Sequence, residues 1–162
     1  MGEVREVEIQ ARLRDINTGG HVDNIEAMRV LDEARIRFFG LGAMAAQAGI
    51  EMEPGVLDAA PAHVTNLVGG QRVDYHAEMR FAPHQPFRVR VWVGHVGGSS
   101  FTVQSELYVT AQGEGGGPAV VAESSVVLWD TVTNQPWPID EAVRETLDSY
   151  RGPAVPLRPR PN

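Results

Sequence analysis

Polar and glycine residues are concentrated in one run of the sequence, from Arg14 to Asn24 (RDINTGGHVDN). A strand-like segment precedes this run, and a segment with a helical apolar stripe follows it. The first N–H groups of a helix lack partners within the helix and carry partial positive charge. Such groups polarise a carbonyl oxygen or hold an anion. The run therefore predicts a site for carbonyl or anion chemistry where a loop becomes a helix.

Two titratable residues of this run, His21 and Asp15, are candidates for proton transfer. Histidine titrates near neutral pH, so His21 is able to act as a base or as a hydrogen-bond donor. A structural histidine that bonds a loop carbonyl fits the same position. We interpret Asp15 as structural, because aspartate in a turn commonly accepts hydrogen bonds from loop N–H groups.

The segments on either side of the run determine how it is presented. Val4–Leu13 alternates apolar and polar residues, which is typical of a half-buried strand. Asp23 and Glu26 occupy the N-cap and N3 positions of a helix that is predicted to run to Gly40. The apolar stripe of this helix comprises Ile25, Met28, Leu31, Ala34, Ile36, Phe38 and Phe39. We expect a helical continuation through Ala43–Ala48 that ends at the following glycine.

The rest of the sequence is typical of antiparallel strands followed by a short helix. The expected elements are a long strand over His63–Phe81 with a bulge at Gly69-Gly70, strands over Phe87–Val96, Phe101–Thr110 and Ala119–Trp129, and a helix over Ile139–Tyr150. Residues 1–150 are expected to form one domain. Residues 151–162 are expected to form an irregular, proline-rich tail.

The composition limits the classes of function. The chain has 162 residues, which suits one domain, and 43% are hydrophobic, enough for a core without metal or disulfide support. It has no cysteine, which excludes disulfides, thiolate nucleophiles and cysteine zinc sites. A net charge of −7 and the absence of lysine argue against nucleic acid as a partner. The sequence has neither an apolar run of about 20 residues nor a signal-peptide core, so we expect no membrane association and a cytoplasmic location.

One long helix cannot cover both faces of a five-stranded antiparallel sheet. The uncovered face must then meet solvent or pack against another copy of the chain. We therefore expect association through the sheet, as a homodimer or a homotetramer.

Three segments resemble the motifs of one family, in a consistent order. Arg14–Asn24 resembles the pattern R-x-x-D-x-D-x-x-G-H-V-N-N, Leu31–Arg35 (LDEAR) resembles L-E-E-A-R, and Val126–Ile139 resembles an apolar strand followed by D-x-x-T-G-x-P-x-P. On these segments the chain resembles the hotdog-fold acyl-CoA thioesterases of the 4-hydroxybenzoyl-CoA thioesterase-like family. The resemblance implies an α+β hotdog fold, in which an antiparallel five-stranded sheet wraps around one long helix and a short C-terminal helix is added.

The resemblance also implies a reaction, the hydrolysis of an acyl-CoA or acyl-carrier-protein thioester to a free acid and a thiol. It implies that the N–H of Asn24 meets the thioester carbonyl and that His21 shapes the loop. Asn17 stands where the family has a catalytic aspartate, and its amide orients a water or a carbonyl but takes no proton. Coenzyme A enters as part of the substrate, and we expect no further cofactor. We expect no metal, since the histidines are scattered without an H-x-x-x-H pair.

Other residues of the matching segments are expected to bind the substrate. Gly19, Gly20 and Asp23 belong to the loop, and Ser99 and Ser100 to the hairpin that contacts coenzyme A in the family. The family's basic residue ahead of this hairpin is missing here, where backbone and hydroxyl groups are left to bind the substrate. A simple Gly-Gly hairpin explains the same residues.

An amide in place of the family's aspartate requires a base from elsewhere, and Glu78 is the candidate. In the segment DYHAEMR a continuous strand puts His76, Glu78 and Arg80 on one face. A carboxylate beside these two side chains is tuned by their charges. The alternative is a solvated strand face with ordinary ion pairs.

Two other functions stay open. The spacing Asp15-x-Asn17-x-x-x-His21 resembles the D-x-N-P-x-H signature of hotdog enoyl-CoA hydratases, with one extra residue before the histidine and Thr18 in place of proline. Alternatively, the protein binds an acyl thioester or a small acid without turnover, because an amide replaces the catalytic acid and fold alone does not fix function.

Overall fold

The computed structural model describes residues 1–41, 48–49, 53–80, 85–109 and 116–159. The strands are β1 (Arg5–Ile9), β2 (Val64–Tyr75), β3 (Phe87–Val96), β4 (Ser100–Val109), β5 (Val120–Asp130) and β6 (Gln135–Pro136). The helices are α1 (Asn24–Phe39) and α2 (Glu141–Ser149), and a 3₁₀ turn spans Leu13–Asp15. The helical continuation expected over Ala43–Ala48 falls mainly outside the described residues.

The strands form one antiparallel sheet in the order β1-β3-β4-β5-β2, and the short β6 pairs with β5. Strand β2 is at an edge of this order and pairs with β5, from Val64 opposite Asp130 to Tyr75 opposite Val120. The register shifts between Val68 and Gly70, which confirms the bulge predicted at the glycine pair. The sheet therefore presents a long β2 edge to solvent.

Helix α1 packs on one face of the sheet and is capped at both ends. Asp23 is its N-cap, and the Asp23 carboxylate accepts a hydrogen bond from Ile25 N at 2.9 Å. Gly40 ends the helix with φ 109°, which a residue without a side chain adopts readily. The helix buries Ala27, Val30, Leu31, Ala34, Phe38 and Phe39. The predicted stripe was wrong for Ile25 and Ile36, which are 60% and 42% exposed.

The main core lies between α1 and the sheet. It contains the alternate β3 valines Val89, Val91 and Val93, and α2 adds Val143 and Leu147. Burial of this apolar surface is the main force that holds the helix on the sheet.

No helix of the described residues is long and apolar enough to cross a membrane.

Strand β2 ends earlier than the sequence predicts. The expected strand ran on to Phe81, whereas the observed strand stops at Tyr75. The N–H groups of His76 and Ala77 both donate to Ala119 O, so the ladder with β5 does not continue. The single polar strand face expected beyond Tyr75 is therefore not formed by the described residues.

Residues 151–159, which we call the strap, cover part of the sheet face opposite α1. These described residues contain no helix, and their regular pairing is limited to a single bridge to β3. Val155 of the strap is buried with Trp92 and Val121, whose side chains lie on the face away from α1. The chain therefore covers part of its own second sheet face, which was not expected from the sequence.

Candidate active site

The loop between β1 and α1 is held by the side chain of Asn17. Its Oδ1 accepts hydrogen bonds from Gly19 N at 2.9 Å and from His21 N at 3.3 Å. Its backbone N–H donates to His21 O at 2.8 Å, inside the bridge between Ile16 and Val22. The amide oxygen is thus occupied within the loop, and the Asn17 residue is exposed.

The structure explains why glycine occupies both positions 19 and 20 of the loop. Gly20 has φ 79°, a left-handed conformation in which a side chain is strained. A Cβ at Gly19 would lie 3.1 Å from His21 Cδ2 and 3.3 Å from Asn17 Oδ1. The glycine pair therefore lets the imidazole lie close to the loop. The expected contact of both glycines with a substrate stays a prediction.

The structure brings His21 and Glu78 together. His21 Nδ1 lies 2.7 Å from Glu78 Oε1, and Arg80 Nε donates to Glu78 Oε2 at 3.0 Å. The backbones of the two segments are joined as well, by the bridge between His21 and Arg80 and by a bond from Val22 N to Met79 O at 2.8 Å. The early end of β2 turns Glu78 toward the loop.

This imidazole–carboxylate pair contains the groups needed for proton transfer. The His21 side chain is 33% exposed and that of Glu78 is 53% exposed, so solvent and ligands reach both. Nδ1 of His21 is covered by protein and has the Glu78 carboxylate as its ion-pair neighbour. Nε2 is therefore the nitrogen left for a ligand. A carboxylate beside one ring nitrogen helps to fix the orientation of the ring.

Asn24 is the first residue of α1. Asp23 N donates to Asp15 O at 2.9 Å, and the Asp23 carboxylate caps Ile25 N. Asn24 is exposed, and no described residue accepts a hydrogen bond from its N–H. Asp23, expected to bind substrate, thus serves as the helix cap, while the Asn24 N–H is directed to no described protein acceptor.

Tyr75 contacts this helix start, a contact that the sequence did not reveal. Its hydroxyl donates to Asn24 O at 3.3 Å. Partial burial, and then the negative charge of Asp23, raise the pKa of Tyr75 above its ordinary value of 10.0. The phenol therefore stays protonated near neutral pH and acts as a donor. The contact arises from the tertiary fold, because Tyr75 and Asn24 are 51 positions apart in the sequence.

Ser99 and Ser100 lie at the other end of the sheet from this loop. Helix α1 connects the two ends: it starts beside Tyr75, and Phe39 at its end packs on Phe101 with ring centroids 5.7 Å apart. A helix of 16 residues is about 24 Å long. A single chain therefore does not bring the two serines to the loop.

An apolar cavity also lies at the hairpin end of the sheet. Its volume is about 790 Å³, and its mostly apolar walls, which include Phe39, Leu57, Val64 and Leu128, also contain the polar residues Asp58, Thr65 and Asn66. A smaller cavity of about 250 Å³ lies beside the loop, between β1 and α1, and charged residues such as Arg12, Asp15 and Arg29 line it. The larger cavity is thus remote from Asn24 of the same chain.

Asp15 is structural, as interpreted from the sequence. It is 6% exposed, and its Oδ2 accepts a hydrogen bond from Arg12 N at 2.8 Å. Its other carboxylate oxygen lies 3.8 Å from Arg14 Nε. These contacts turn Asp15 to the loop backbone rather than to His21, so they do not favour hydration by an Asp–His pair.

Within the described ranges, no cluster of three or more His, Asp or Glu side chains is arranged to hold a metal ion.

Comparison with known proteins gives the family. Residues 11–147 match the model of the thioesterase-like superfamily, so the chain belongs to this superfamily. No protein of curated function matches the chain significantly.

Solved structures show the same architecture. A predicted thioesterase from Bacillus stearothermophilus has a TM-score of 0.70 at 18% identity, over 94% of this chain and 100% of that chain. The thioesterase from Thermus thermophilus complexed with coenzyme A and Zn has a TM-score of 0.63 at 21% identity, over 90% of this chain and 92% of that chain. Protein SAV2348 from Staphylococcus aureus in complex with CoA has a TM-score of 0.70 at 11% identity, over 99% of this chain and 91% of that chain. These likenesses confirm the hotdog fold predicted from the sequence.

Proposed function

We propose that the protein hydrolyses the thioester of an acyl-CoA or an acyl-carrier protein at the start of helix α1. The observation that carries this proposal is the N–H of the exposed residue Asn24, which has no acceptor among the described residues, on the same loop-to-helix junction as the His21–Glu78 pair. Membership of the thioesterase-like superfamily supports the reaction class. The coenzyme A complexes of the Thermus thermophilus and Staphylococcus aureus proteins support this class of substrate.

Each group of the junction has a role in the proposed reaction. The N–H of Asn24 donates to the thioester oxygen, where the partial positive charge of the helix start stabilises the oxyanion. The NH₂ group of Asn17 orients the water or the thioester. Water attacks the carbonyl carbon while His21 Nε2 takes its proton, and Glu78 stabilises the imidazolium. The C–S bond then breaks, and the imidazolium returns the proton to the leaving thiolate.

We further propose that the complete site lies between two copies of the chain. The β2 edge exposes Leu67 and Val68 by 47% and 44%. Antiparallel pairing of two such edges about Gly69-Gly70 brings residues 64–66 of one copy beside residues 73–75 of the other. The apolar cavity and the hairpin serines of one copy then approach the helix start of its partner. This arrangement accounts for their separation within one chain.

A panel of acyl-CoA substrates with a thiol-release readout tests the proposed activity. The panel contains straight acyl chains of graded length and aromatic acyl groups. We expect release of one thiol for each acid formed. Turnover of none of them, with equimolar acyl-CoA binding seen by calorimetry, would instead identify the second candidate function, a binding protein. That candidate is favoured by Asn17, whose amide takes no proton.

The same panel distinguishes thioester hydrolysis from the alternative activity of an enoyl-CoA hydratase. Crotonyl-CoA would lose its enoyl absorbance without releasing thiol if water were added across the double bond. We expect its absorbance to change only as the thioester is cleaved.

A further inference from the structure

The strap is anchored to β3 at its first residues. Val93 N donates to Tyr150 O at 2.9 Å, and Gly152 N donates to Val93 O at 2.8 Å. Trp92 Nε1 then donates to Pro153 O at 2.8 Å. A Cβ at Gly152 would lie 2.6 Å from Trp92 Cδ1, so only glycine lets the strap pass this close to the indole. The start of the strap therefore has a fixed position on the sheet.

A buried amide then fixes the middle of the strap. Val155 N donates to Gln104 Oε1 at 3.0 Å, and Gln104 is 1% exposed. Gln104 Nε2 donates in turn to Glu123 Oε2 at 2.8 Å. A buried side-chain amide that satisfies both of its ends is costly to separate. The strap is thereby joined to β4 and β5.

The end of the strap reaches the last residues of β2. Arg158 donates twice, from Nη2 to Tyr75 O at 2.9 Å and from its backbone N–H to the Asp74 carboxylate. Arg72 Nη2 donates to Arg158 O at 3.1 Å. The strap thus crosses the strands in their order in the sheet and finishes at the β2 edge, at the residue whose hydroxyl bonds helix α1.

Tyr75 therefore connects the strap to the helix start. Its carbonyl is held by Arg158, and its hydroxyl holds Asn24 O. We propose that Tyr75 is a positioning residue, and that the strap acts through it to fix the direction in which the Asn24 N–H points. The role in catalysis rests on the proposed thioester hydrolysis. A small displacement of an oxyanion donor lowers the rate because its bond to the oxyanion depends on distance and angle.

The positioning role is tested by comparing Tyr75→Phe, Arg158→Ala and their double variant with the unsubstituted protein. Hydrogen exchange at the amides of Ile25 and Ala27 measures the order of the helix start, and steady-state kinetics use the acyl-CoA that turns over fastest. Loss of one hydrogen bond predicts about fivefold faster exchange and about fivefold lower kcat, with KM unchanged. The double variant should be no worse than the worse single variant, because both changes break one connection.

Matched controls separate positioning from general loosening. Tyr108→Phe removes a hydroxyl that bonds Glu106 Oε2 at 2.9 Å, and Arg151→Ala removes an exposed arginine at the other end of the strap. Neither should change exchange at Ile25 or kcat. Exchange at Leu147 of α2 reports whether a variant is destabilised globally, and Tyr75→Phe is the variant least expected to unfold the protein.

Each outcome decides the proposal. Unchanged exchange at the helix start in both single variants overturns it, whatever the kinetics show. Faster exchange with an unchanged kcat also overturns the positioning role. If the unchanged chain hydrolyses no acyl-CoA, the proposed function fails, while the exchange arm still decides whether the strap orders the helix start.

Discussion

Glu78 Oε1 lies 2.7 Å from His21 Nδ1, a contact between the segment after β2 and the loop before α1. Neither residue is placed by its own secondary structure alone. The contact requires β2 to end at Tyr75 and the following segment to pair with the loop, as the bond from Val22 N to Met79 O shows. The proton-transfer pair that we propose is therefore a product of the tertiary fold.

Substitution of the pair should remove most of the activity. Glu78→Gln and His21→Ala are each expected to lower kcat by about 100-fold, because either change disables the proposed base, His21 supported by Glu78, and general base catalysis contributes about that factor. The measurement is thiol release under saturating substrate. Glu106→Gln is the matched control, since Glu106 also bonds an arginine, Arg90 at 2.9 Å, on the sheet remote from the loop. A Glu78→Gln protein with the original rate would remove the pair from the mechanism.

Asn17→Asp should raise the rate. A carboxylate oxygen is able to accept the same bonds from Gly19 N and His21 N, so the loop geometry is kept. The second oxygen then supplies a base where the amide supplies none, and an increase of about tenfold to 100-fold in kcat is expected. Gln135→Glu, on exposed β6, adds the same charge elsewhere and should have no effect. An unchanged rate in Asn17→Asp would show that this side chain does not face the reacting atoms.

Charges on the β2 edge should separate the copies. Leu67→Glu and Val68→Glu each put a carboxylate into an apolar contact between the two copies, where the loss of its hydration is unfavourable. We expect sedimentation to show monomers and thiol release to fall with the loss of the second copy. Val132→Glu is the control, because Val132 is 77% exposed on the turn after β5. Retention of the dimer in both edge variants would contradict pairing through β2.

Stability should fall as the pH rises above about 10, the ordinary pKa of a phenol. Burial raises the pKa of Tyr75 and of Tyr108 above 10.0, with a further increase from Asp23 for Tyr75 and with the hydrogen bond from Arg90 lowering that of Tyr108 in part. A phenol whose pKa is higher in the folded state stabilises that state fully below the unfolded pKa, and the contribution is lost as the pH rises through the folded pKa.

The test of this pH dependence is the melting temperature between pH 8 and pH 12, a range of roughly two units on either side of the phenol pKa. The variant Tyr75→Phe/Tyr108→Phe should lose less stability across this range than the unchanged chain. Equal slopes in the two proteins would contradict a coupling of these phenols to folding.

The elements of the fold could be predicted where their signals are local. The cap at Asp23, the helix end at Gly40 and the bulge at the glycine pair each depend on residues within a few positions, and all three are observed. The end of β2 could not be predicted, because the carbonyl of Ala119, far along the chain, takes the N–H groups of His76 and Ala77. Exposure of Ile25 also depends on where the sheet lies.

The sequence indicated which residues are candidates for the site, but it did not indicate which of them contact each other. The run from Arg14 to Asn24 indicated the loop, because its glycines, histidine and helix cap are characteristic types at characteristic spacing. Its internal bonds, such as Asn17 Oδ1 with Gly19 N, follow from local turn chemistry. The meeting of His21 with Glu78, and of Tyr75 with Asn24, joins distant segments for which the sequence contains no pairing signal.

The strap follows, in chain order, all the strands that it covers. Trp92 and Val121 are consequently synthesised before Val155, the residue that buries them. A nascent chain that has completed its sheet presents this apolar patch to chaperones and to other nascent chains. The patch is covered only when the strap has left the ribosome, and this step removes an exposed apolar surface that favours aggregation.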